Sequence, residues 1–364
     1  MSNVVSKVTE SVPKIKNIST DKQPDAAEIL SQDFSTTLEA PKKGLFIVRT
    51  ASQCIEDAAT RPDALQLFGE FWHQNEFGIF FGDTGTGKSI TAVQIAQAIA
   101  TGKPALPFFE AAKQAPAEKV LYFDLELSDK QFQSRYQPDS GPVFPFSPNF
   151  YRIEISTDID MPEAYKSDFE AYLCDQIEAL IVETGAKVVI IDNLTFLKSG
   201  TEKAADALPL VKFLKKLKAK HTLSILCLGH TPKRITGEAL TKNDLGGSKQ
   251  LQNFVDTLFA IGESRHDSAA RYLKQLKARE TAINYDTSNV VTGEIIKDGN
   301  YLHFKFTKFS NERDHTGIRS AEDEDNTDAQ ILTLHRNKHT QRQIAEKISC
   351  SLGKVNKVIK RAGV

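Results

Sequence analysis

The sequence predicts an α/β fold, with a central sheet rich in parallel strands and helices on both faces, followed by a small all-helical C-terminal domain. Short apolar runs recur between residues 77 and 306, and amphipathic stretches separate several of them. Such alternation is typical of a parallel sheet, because its strands are buried on both faces. A change of composition and charge after residue 319 predicts the separate helical domain.

Each predicted element follows from its local pattern. Short continuous apolar runs predict strands at 77–81, 120–125, 188–191, 223–228, 255–261, 272–276 and 301–306. Amphipathic periodicity predicts helices at 89–100, 165–184 and 208–220.

Composition divides the chain into four segments. Residues 1–40 are polar, without sustained periodicity, and are predicted to be a disordered tail with a short helix near 25–30. Residues 41–319 form the predicted α/β domain, and the acidic, turn-prone run 320–328 is interpreted as a linker. Residues 329–364 form the predicted basic helical domain.

Charge and cysteine usage exclude several classes of protein. With 46 Lys and Arg residues against 47 Asp and Glu residues, the chain of 364 residues is not basic throughout, as a nucleic-acid coat protein would be. No apolar run approaches the length of a membrane span, and the N-terminus lacks the apolar core of a secretion signal. The four scattered cysteines indicate neither a zinc site nor a disulfide framework. We therefore expect a cytoplasmic protein without membrane contact.

A glycine-rich segment between the first predicted strand and the first predicted helix has the form G-x-x-x-x-G-K-S. Its glycines allow successive N–H groups to point at phosphate oxygens, while Lys88 reaches the β- and γ-phosphates and Ser89 offers a hydroxyl to Mg²⁺. The alternative is a glycine-rich turn that matches this motif by chance. A chance match would not require a strand before the motif and a helix after it, and both are predicted here. We predict an ATP-binding P-loop formed by Gly82, Asp83, Thr84, Gly85, Thr86, Gly87, Lys88 and Ser89.

Two further predicted strands end in carboxylates. Asp192 ends the run 188–191 in the form of a Walker B strand, where a carboxylate can hold Mg²⁺ through its water shell; the alternative is an ordinary buried strand with a polar turn residue. Glu126 follows the run 120–125, on what we take to be the strand next to the P-loop, and is a candidate to activate the attacking water. Asp124 is a competitor predicted on the same face, and the alternative role for Glu126 is that of a cap partner for the following helix.

With these motifs the chain resembles the RecA-like ATPase superfamily, and most closely the RepA-type hexameric helicases of plasmids and mobile elements. The resemblance covers about residues 44–319 and rests on the P-loop and on the strands that end at Glu126 and Asp192. It implies a RecA-like P-loop NTPase core, Glu126 as the catalytic base, ATP and Mg²⁺ as cofactors, and a ring-forming homo-oligomer, a hexamer, that passes single-stranded DNA.

The resemblance also implies three further catalytic residues. Leu226-Cys-Leu-Gly-His230 looks like the strand whose last polar residue senses the γ-phosphate, and Lys277-Ala-Arg279 looks like the pair that reaches the neighbouring subunit's γ-phosphate. A spacing of two on a strand puts Lys277 and Arg279 on one face. The alternatives are a hydrogen-bonded structural histidine and a solvated basic strand end. RepA-like chains commonly carry Arg-Gly-Ser after the sensor loop, but Leu245 stands where that arginine would be.

The neutral total charge conceals a basic C-terminus. From residue 329 to 364 there are eight basic residues and one acidic residue. Helical patterns at about 328–336, 340–348 and 352–361 predict a helix-turn-helix arrangement whose last helix presents Lys354, Asn356, Lys357 and Lys360 to duplex DNA. The alternative is a three-helix bundle that docks on the ring or on a partner protein.

Three functions are consistent with these patterns. The leading hypothesis is a ring-forming Mg²⁺-dependent ATPase that acts on DNA, as a RepA-like helicase or replication protein does. The second is an ATP-dependent DNA-binding regulator, and the third is a nucleotide-gated adaptor without unwinding activity.

Overall fold

The computed structural model describes residues 46–138, 141–156, 162–166, 168–193, 208–232, 238–245, 249–316, 321–348 and 350–363. The predicted tail and its short helix lie outside these ranges. The chain forms two compact units, residues 1–62 and 63–364. In the first, helix α1 (Ala51–Ala59) buries none of its residues. The second unit begins at Asp63, whereas the α/β domain was predicted to begin at residue 41; among the described residues, the first buried apolar side chain is Leu67.

In the described residues, the second unit contains the following helices and strands, which we number in chain order. The strands are β1 (Gln66–Phe68), β2 (Trp72–His73), β3 (Phe77–Gly82), β4 (Val120–Asp124), β5 (Phe150–Ile153), β6 (Val188–Asp192), β7 (Ser224–His230), β8 (Thr257–Glu263), β9 (Ala270–Lys277), β10 (Val290–Asp298) and β11 (Tyr301–Ser310). The helices are α2 (Lys88–Thr101), α3 (Asp129–Tyr136), α4 (Phe169–Thr184), α5 (Leu208–His221), α6 (Lys249–Phe254), α7 (Arg313–Thr316), α8 (Ala321–Arg336), α9 (Gln341–Ile348) and α10 (Leu352–Ala362).

Within the described ranges, nine strands form one sheet in the order β11-β10-β9-β8-β3-β7-β6-β4-β5. The strands from β8 to β5 in this order are parallel to one another, whereas β9, β10 and β11 add an antiparallel edge. The predicted α/β class and parallel-rich sheet are confirmed. All six parallel strands therefore end at the same edge of the sheet, which is where loops form ligand sites in this architecture.

Helices cover both faces of the sheet, as predicted. On β3, Phe80 faces the core that contains α2, whereas Ile79 and Phe81 face the core that contains α4 and α5. This alternation follows from the two-residue period of a strand. Gln94 of α2 also joins the helix to the sheet edge, because its side chain donates to the Phe304 carbonyl at 3.1 Å and accepts from the Phe304 N–H at 3.0 Å.

Two strands of the large sheet, β5 and β10, were not predicted. β5 lies at the sheet edge and is at most half-buried, so its sequence lacks a continuous apolar run. β10 was missed because Thr292, Gly293 and Glu294 separate its apolar residues, so that it has no long continuous apolar run.

The predicted acidic linker is wrong. Residues of the run 321–328 belong to α8, which begins at Ala321. Acidic side chains near a helix N-terminus interact favourably with the helix dipole, so an acidic run is compatible with a first helical turn. The helices α8, α9 and α10 pack around a small core of their own, which comprises Ile331, Ile344, Val355, Val358 and Ile359. We call these three helices the C-terminal bundle.

None of the helices in the described ranges is both long enough and apolar enough to cross a membrane.

Candidate active site

The loop between β3 and α2 has a backbone that only glycine adopts readily. Gly85 has φ +82° and Gly87 has φ +99°, both in the left-handed region. A Cβ on Gly87 would lie 2.7 Å from Cδ1 of Ile295 on β10, whereas a Cβ on Gly85 would meet nothing within 4 Å. Two different constraints, backbone conformation and close packing, therefore act on this loop.

Lys88 begins α2 and points back into the loop. Its ammonium donates to the carbonyl oxygens of Gly82 at 2.9 Å and Asp83 at 2.7 Å. The residue is only 5% exposed, and this burial lowers the pKa of Lys88, while Asp192, Asp83 and Glu126 oppose the shift. Both hydrogen bonds are to backbone oxygens, and none of the described ion pairs joins the ammonium directly to a carboxylate.

Asp192 ends β6 as a buried carboxylate beside this loop. It accepts a hydrogen bond from the Tyr122 hydroxyl at 2.7 Å, and the Ser89 hydroxyl also bonds to it. Burial raises the pKa of Asp192 to about 6, and the hydrogen bonds from Ser89 and Tyr122 counteract this rise. A hydroxyl and one carboxylate fit Mg²⁺, which commonly takes few protein ligands and fills its shell with phosphate oxygens and water.

Glu126 lies in a cluster with Asn193 and His230. The Asn193 amide donates to Glu126 Oε1 and lies 2.8 Å from Nε2 of His230, and that Nε2 is 3.5 Å from Glu126 Oε1. Nδ1 of His230 is buried and finds no partner among the described residues. The ends of β4, β6 and β7 thus contribute one polar side-chain cluster.

The two alternatives for Glu126 are not supported by its surroundings. Asp124 is buried and engaged by Arg152 at 2.8 Å, so it is not placed to act in place of Glu126. The helix cap at α3 is provided by Ser128, whose hydroxyl accepts from the Gln131 N–H.

Two details of the expected placement of Glu126 are wrong. β4 is not next to the P-loop strand, since β7 and β6 lie between them. Asp124 and Glu126 do not share a strand face either, because β4 ends at Asp124. The carboxylate still approaches the P-loop lysine because the parallel strands end at one edge of the sheet.

Sequence reasoning missed two polar residues of the site, Asn193 and Thr231. The Thr231 hydroxyl donates to the Asp83 carboxylate, and its N–H donates to the Gly82 carbonyl at 3.3 Å. Each residue directly follows a predicted site residue, Asp192 or His230. A polar residue after the last residue of a buried strand was the available signal.

Lys277 and Arg279 lie away from the P-loop of their own chain. Lys277 is paired with Leu258 near the beginning of β8, whereas Gly82 is paired with Ile261 further along the same strand. The positions of Leu258 and Ile261 are roughly 10 Å apart along the strand. The P-loop lies beyond Gly82, so its distance from Lys277 is greater still.

Both cations contact the segment 252–256. The Lys277 ammonium donates to the carbonyls of Gln252 at 2.6 Å and Val255 at 2.8 Å, and Arg279 bonds to the Asp256 carboxylate at 3.1 Å. Burial lowers the pKa of Lys277, and Arg279 lowers it further. Half of the Arg279 side chain is exposed.

Leu245, which replaces the arginine of RepA-like chains, is a core residue. It is 5% exposed and packs against Gly229, where an added Cβ would lie 3.0 Å from Leu245 Cδ1. The position therefore serves packing. In the segment 232–250, which contains Leu245, residues 233–237 and 246–248 lie outside the described residues.

Four of the eight basic residues of the segment 329–364 lie on α10. Lys357, Lys360 and Arg361 are exposed, whereas Lys354 and Asn356 are half-buried. At the beginning of α10, the Ser351 N–H donates to the Asp267 carboxylate of the β8–β9 turn at 3.1 Å. The exposed part of the predicted DNA-contacting set is thus Lys357 and Lys360.

Comparison with protein families agrees with this geometry. A family model described as an AAA domain (AAA_25) matches residues 48–235, which is more than half of the chain. The chain belongs to this AAA domain family. None of the curated proteins matches the chain. The AAA domain is a P-loop nucleoside triphosphatase domain, and the match contains the P-loop, Glu126, Asp192 and His230 but ends before Lys277.

The two left-handed glycines of the AAA domain provide a matched pair of substitutions. Gly85→Ala and Gly87→Ala each force alanine into the left-handed region at a cost of about 1–2 kcal/mol. Gly87→Ala also places a methyl group against Ile295, so we expect it to lower the free energy of unfolding by about 1–3 kcal/mol more than Gly85→Ala does. Urea denaturation of both variants measures this difference.

Shortening the opposing side chain is the control. Ile295→Ala in the Gly87→Ala background is expected to remove most of the extra cost, after correction for Ile295→Ala alone. Equal destabilisation by the two glycine substitutions would contradict the contact between Gly87 and Ile295.

Proposed function

We propose that the protein is a ring-forming, Mg²⁺-dependent ATPase that acts on DNA, in the manner of the RepA-type helicases of plasmids and mobile elements. The observation that carries the proposal is the convergence of Lys88, Ser89, Asp192 and Glu126 at the carboxyl ends of the parallel strands. This set contains the cation, the hydroxyl, the buried carboxylate and the second carboxylate that hydrolysis of a phosphoanhydride requires.

Nucleotide binding is assigned to the loop 82–89. Its N–H groups and the positive end of α2 would receive the phosphates, and the Lys88 ammonium would exchange its backbone partners for β- and γ-phosphate oxygens. Ser89 and Asp192 are the residues that would hold Mg²⁺. The bound ion supplies neutralisation of the charge on the phosphates.

Hydrolysis is assigned to Glu126. Its carboxylate would accept a proton from the attacking water, and Asn193 would orient that carboxylate through their hydrogen bond. His230 contacts the same amide, so a change at the γ-phosphate that moves His230 also moves the partner of Glu126. This link supports the role of His230 as a sensor of the γ-phosphate.

The location of Lys277 and Arg279 supports action in trans. Both lie near the amino end of the parallel strands, too far from their own P-loop for direct contact, and Arg279 is half-exposed. A second copy of the chain, arranged head to tail, would bring these cations to the γ-phosphate of its neighbour. Repetition of a head-to-tail interface gives a ring when the rotation between neighbours closes, and we propose a closed ring of six copies.

DNA binding is assigned to two places. Single-stranded DNA would pass through the ring, and the exposed lysines of α10 would contact the phosphates of duplex DNA, with the C-terminal bundle acting as a helix-turn-helix module. The module would recruit the ATPase to its template. An ATP-dependent regulator would use the same bundle without strand separation, and a nucleotide-gated adaptor would use it to bind a protein.

The first test compares the wild type with Lys88→Ala and Glu126→Gln. We expect single-stranded DNA to stimulate ATP hydrolysis by the wild type and ATP to support strand displacement on a forked duplex. Lys88→Ala is expected to lose nucleotide binding, because it removes the cation of the loop. Glu126→Gln is expected to keep binding while its turnover falls about 10²-fold or more, because it removes the general base.

Glu183→Gln on the exposed face of α4 is the matched control and is expected to retain full turnover. If single-stranded DNA does not change the rate of ATP hydrolysis and no strand displacement is seen, the helicase assignment is contradicted and the regulator or the adaptor is favoured. Full turnover in Lys88→Ala would contradict the assignment of the loop 82–89 as the nucleotide-binding site.

The second test addresses the C-terminal bundle. The double variant Lys357→Ala/Lys360→Ala is expected to weaken binding to duplex DNA and to reduce the salt dependence of that binding, because two phosphate contacts are lost. The control is Lys212→Ala/Lys216→Ala on α5, which removes two exposed lysines outside the bundle. Equal binding by the two double variants in a titration against labelled duplex would exclude the bundle as the duplex site.

A further inference from the structure

Arg152 on the edge strand β5 is the least expected contributor to the site. Its side chain is only 15% exposed, and a buried arginine normally requires partners for its fork of N–H donors. Nε donates to the Asp124 carboxylate at 2.8 Å, Nη1 to the Asp129 carboxylate at 2.7 Å and Nη2 to the Leu127 carbonyl at 2.6 Å. Nη1 also pairs with the neighbouring Glu154. Three of these four partners lie in the segment 124–129.

That segment is the bend that carries Glu126. It connects the end of β4 to the beginning of α3, and Glu126 stands in its middle. The Asp124 carboxylate that Arg152 engages also accepts the N–H groups of Leu127 at 3.1 Å and Glu126 at 3.4 Å. Arg152 therefore holds the backbone on both sides of Glu126, through Asp124 before it and Leu127 after it.

The far side of the bend is held by the same guanidinium. Arg152 bonds to Asp129 in the first turn of α3, and its guanidinium carbon lies 4.8 Å from the ring centroid of Phe132 on that helix. One planar group thus joins β4, the bend and α3. The ammonium of a lysine is a compact charge and cannot donate hydrogen bonds to all of these partners at once.

Glu126 itself has little packing to orient it. Its side chain is 41% exposed, and its contacts are with the polar groups of Asn193 and His230. The direction of the carboxylate therefore depends on these polar partners and on the backbone beneath it. A misplacement of about 1 Å in a catalytic group can reduce turnover roughly 10²-fold, so a fixed backbone at this point matters to catalysis.

We propose that Arg152 is a positioning residue for Glu126, an inference that rests on the proposed function of Glu126 as the general base. Arg152 touches neither the P-loop nor the Asp192 carboxylate in the described contacts. It fixes the bend so that the Glu126 carboxylate meets the attacking water, and it contributes to turnover without contributing to nucleotide affinity.

The test is Arg152→Lys, which keeps the charge and loses the fork. We expect kcat for ATP to fall about 10-fold or more, with KM and the affinity for a fluorescent ATP analogue changed less than about twofold. We express kcat per nucleotide-binding site, so that a fraction of unfolded protein, which does not bind nucleotide, does not lower the measured value. Arg152→Gln is measured in the same way and is expected to lose at least as much turnover.

Arg271→Lys is the matched control. Arg271 lies on β9 with a side chain 14% exposed and also donates to backbone carbonyls, but it contacts no residue of the bend. We expect this variant to keep wild-type kcat. A purely structural role of Arg152 would lower the melting temperature and the number of binding sites without changing kcat per site, and that result would overturn the proposal.

A double-mutant cycle with Glu126→Gln separates this proposal from the function on which it rests. If Arg152 acts through Glu126, adding Arg152→Lys to Glu126→Gln leaves the residual kcat unchanged. An equal loss of kcat in both backgrounds would overturn the positioning role but leave Glu126 as the base. Wild-type turnover in Glu126→Gln would overturn both assignments.

Discussion

The parallel direction of the central strands is the constraint on which the candidate site depends. Because β3, β4, β6 and β7 run in the same direction, the residues that follow them meet at one edge, although they are separated by about 40 to 150 positions in the chain. The P-loop, Glu126, Asp192 and His230 each occupy the end of one of these strands. Reversal of any one strand would remove its side chain from the site.

The site combines buried and exposed polar groups with different tasks. Lys88 and Asp192 are buried. Burial lowers the pKa of Lys88 and raises the pKa of Asp192, so the charged form of each gains stability from a partner of opposite charge. Glu126 is more exposed and depends on hydrogen bonds and on the bend beneath it. The buried pair, Lys88 and Asp192, is therefore suited to binding phosphate and Mg²⁺. The exposed carboxylate of Glu126 is suited to exchanging a proton with water.

Much of this architecture could be predicted from the sequence. The strands that carry the P-loop and Asp192 are continuous apolar runs, and the P-loop residues are fixed by short-range spacing, so both were predictable. Asn193 and Thr231 were missed although each adjoins a predicted residue. Arg152 and Ile295 were not predictable, since their roles arise from packing of an edge strand and of a distant hairpin against the site. The acidic run at 320–328 was misread because charge patterns suit both linkers and helix N-termini.

The central proposal, a hydrolytic site completed by a second copy of the chain, is tested most directly by mixing two inactive variants. Lys88→Ala lacks its own nucleotide site but keeps Arg279, whereas Arg279→Ala keeps the nucleotide site but cannot complete a neighbour's. Mixed assemblies contain interfaces at which an intact nucleotide site meets an intact Arg279. We expect turnover in the mixture to exceed the sum of the separate variants several-fold; turnover no higher than that sum, in assemblies shown to exchange subunits, would contradict the account.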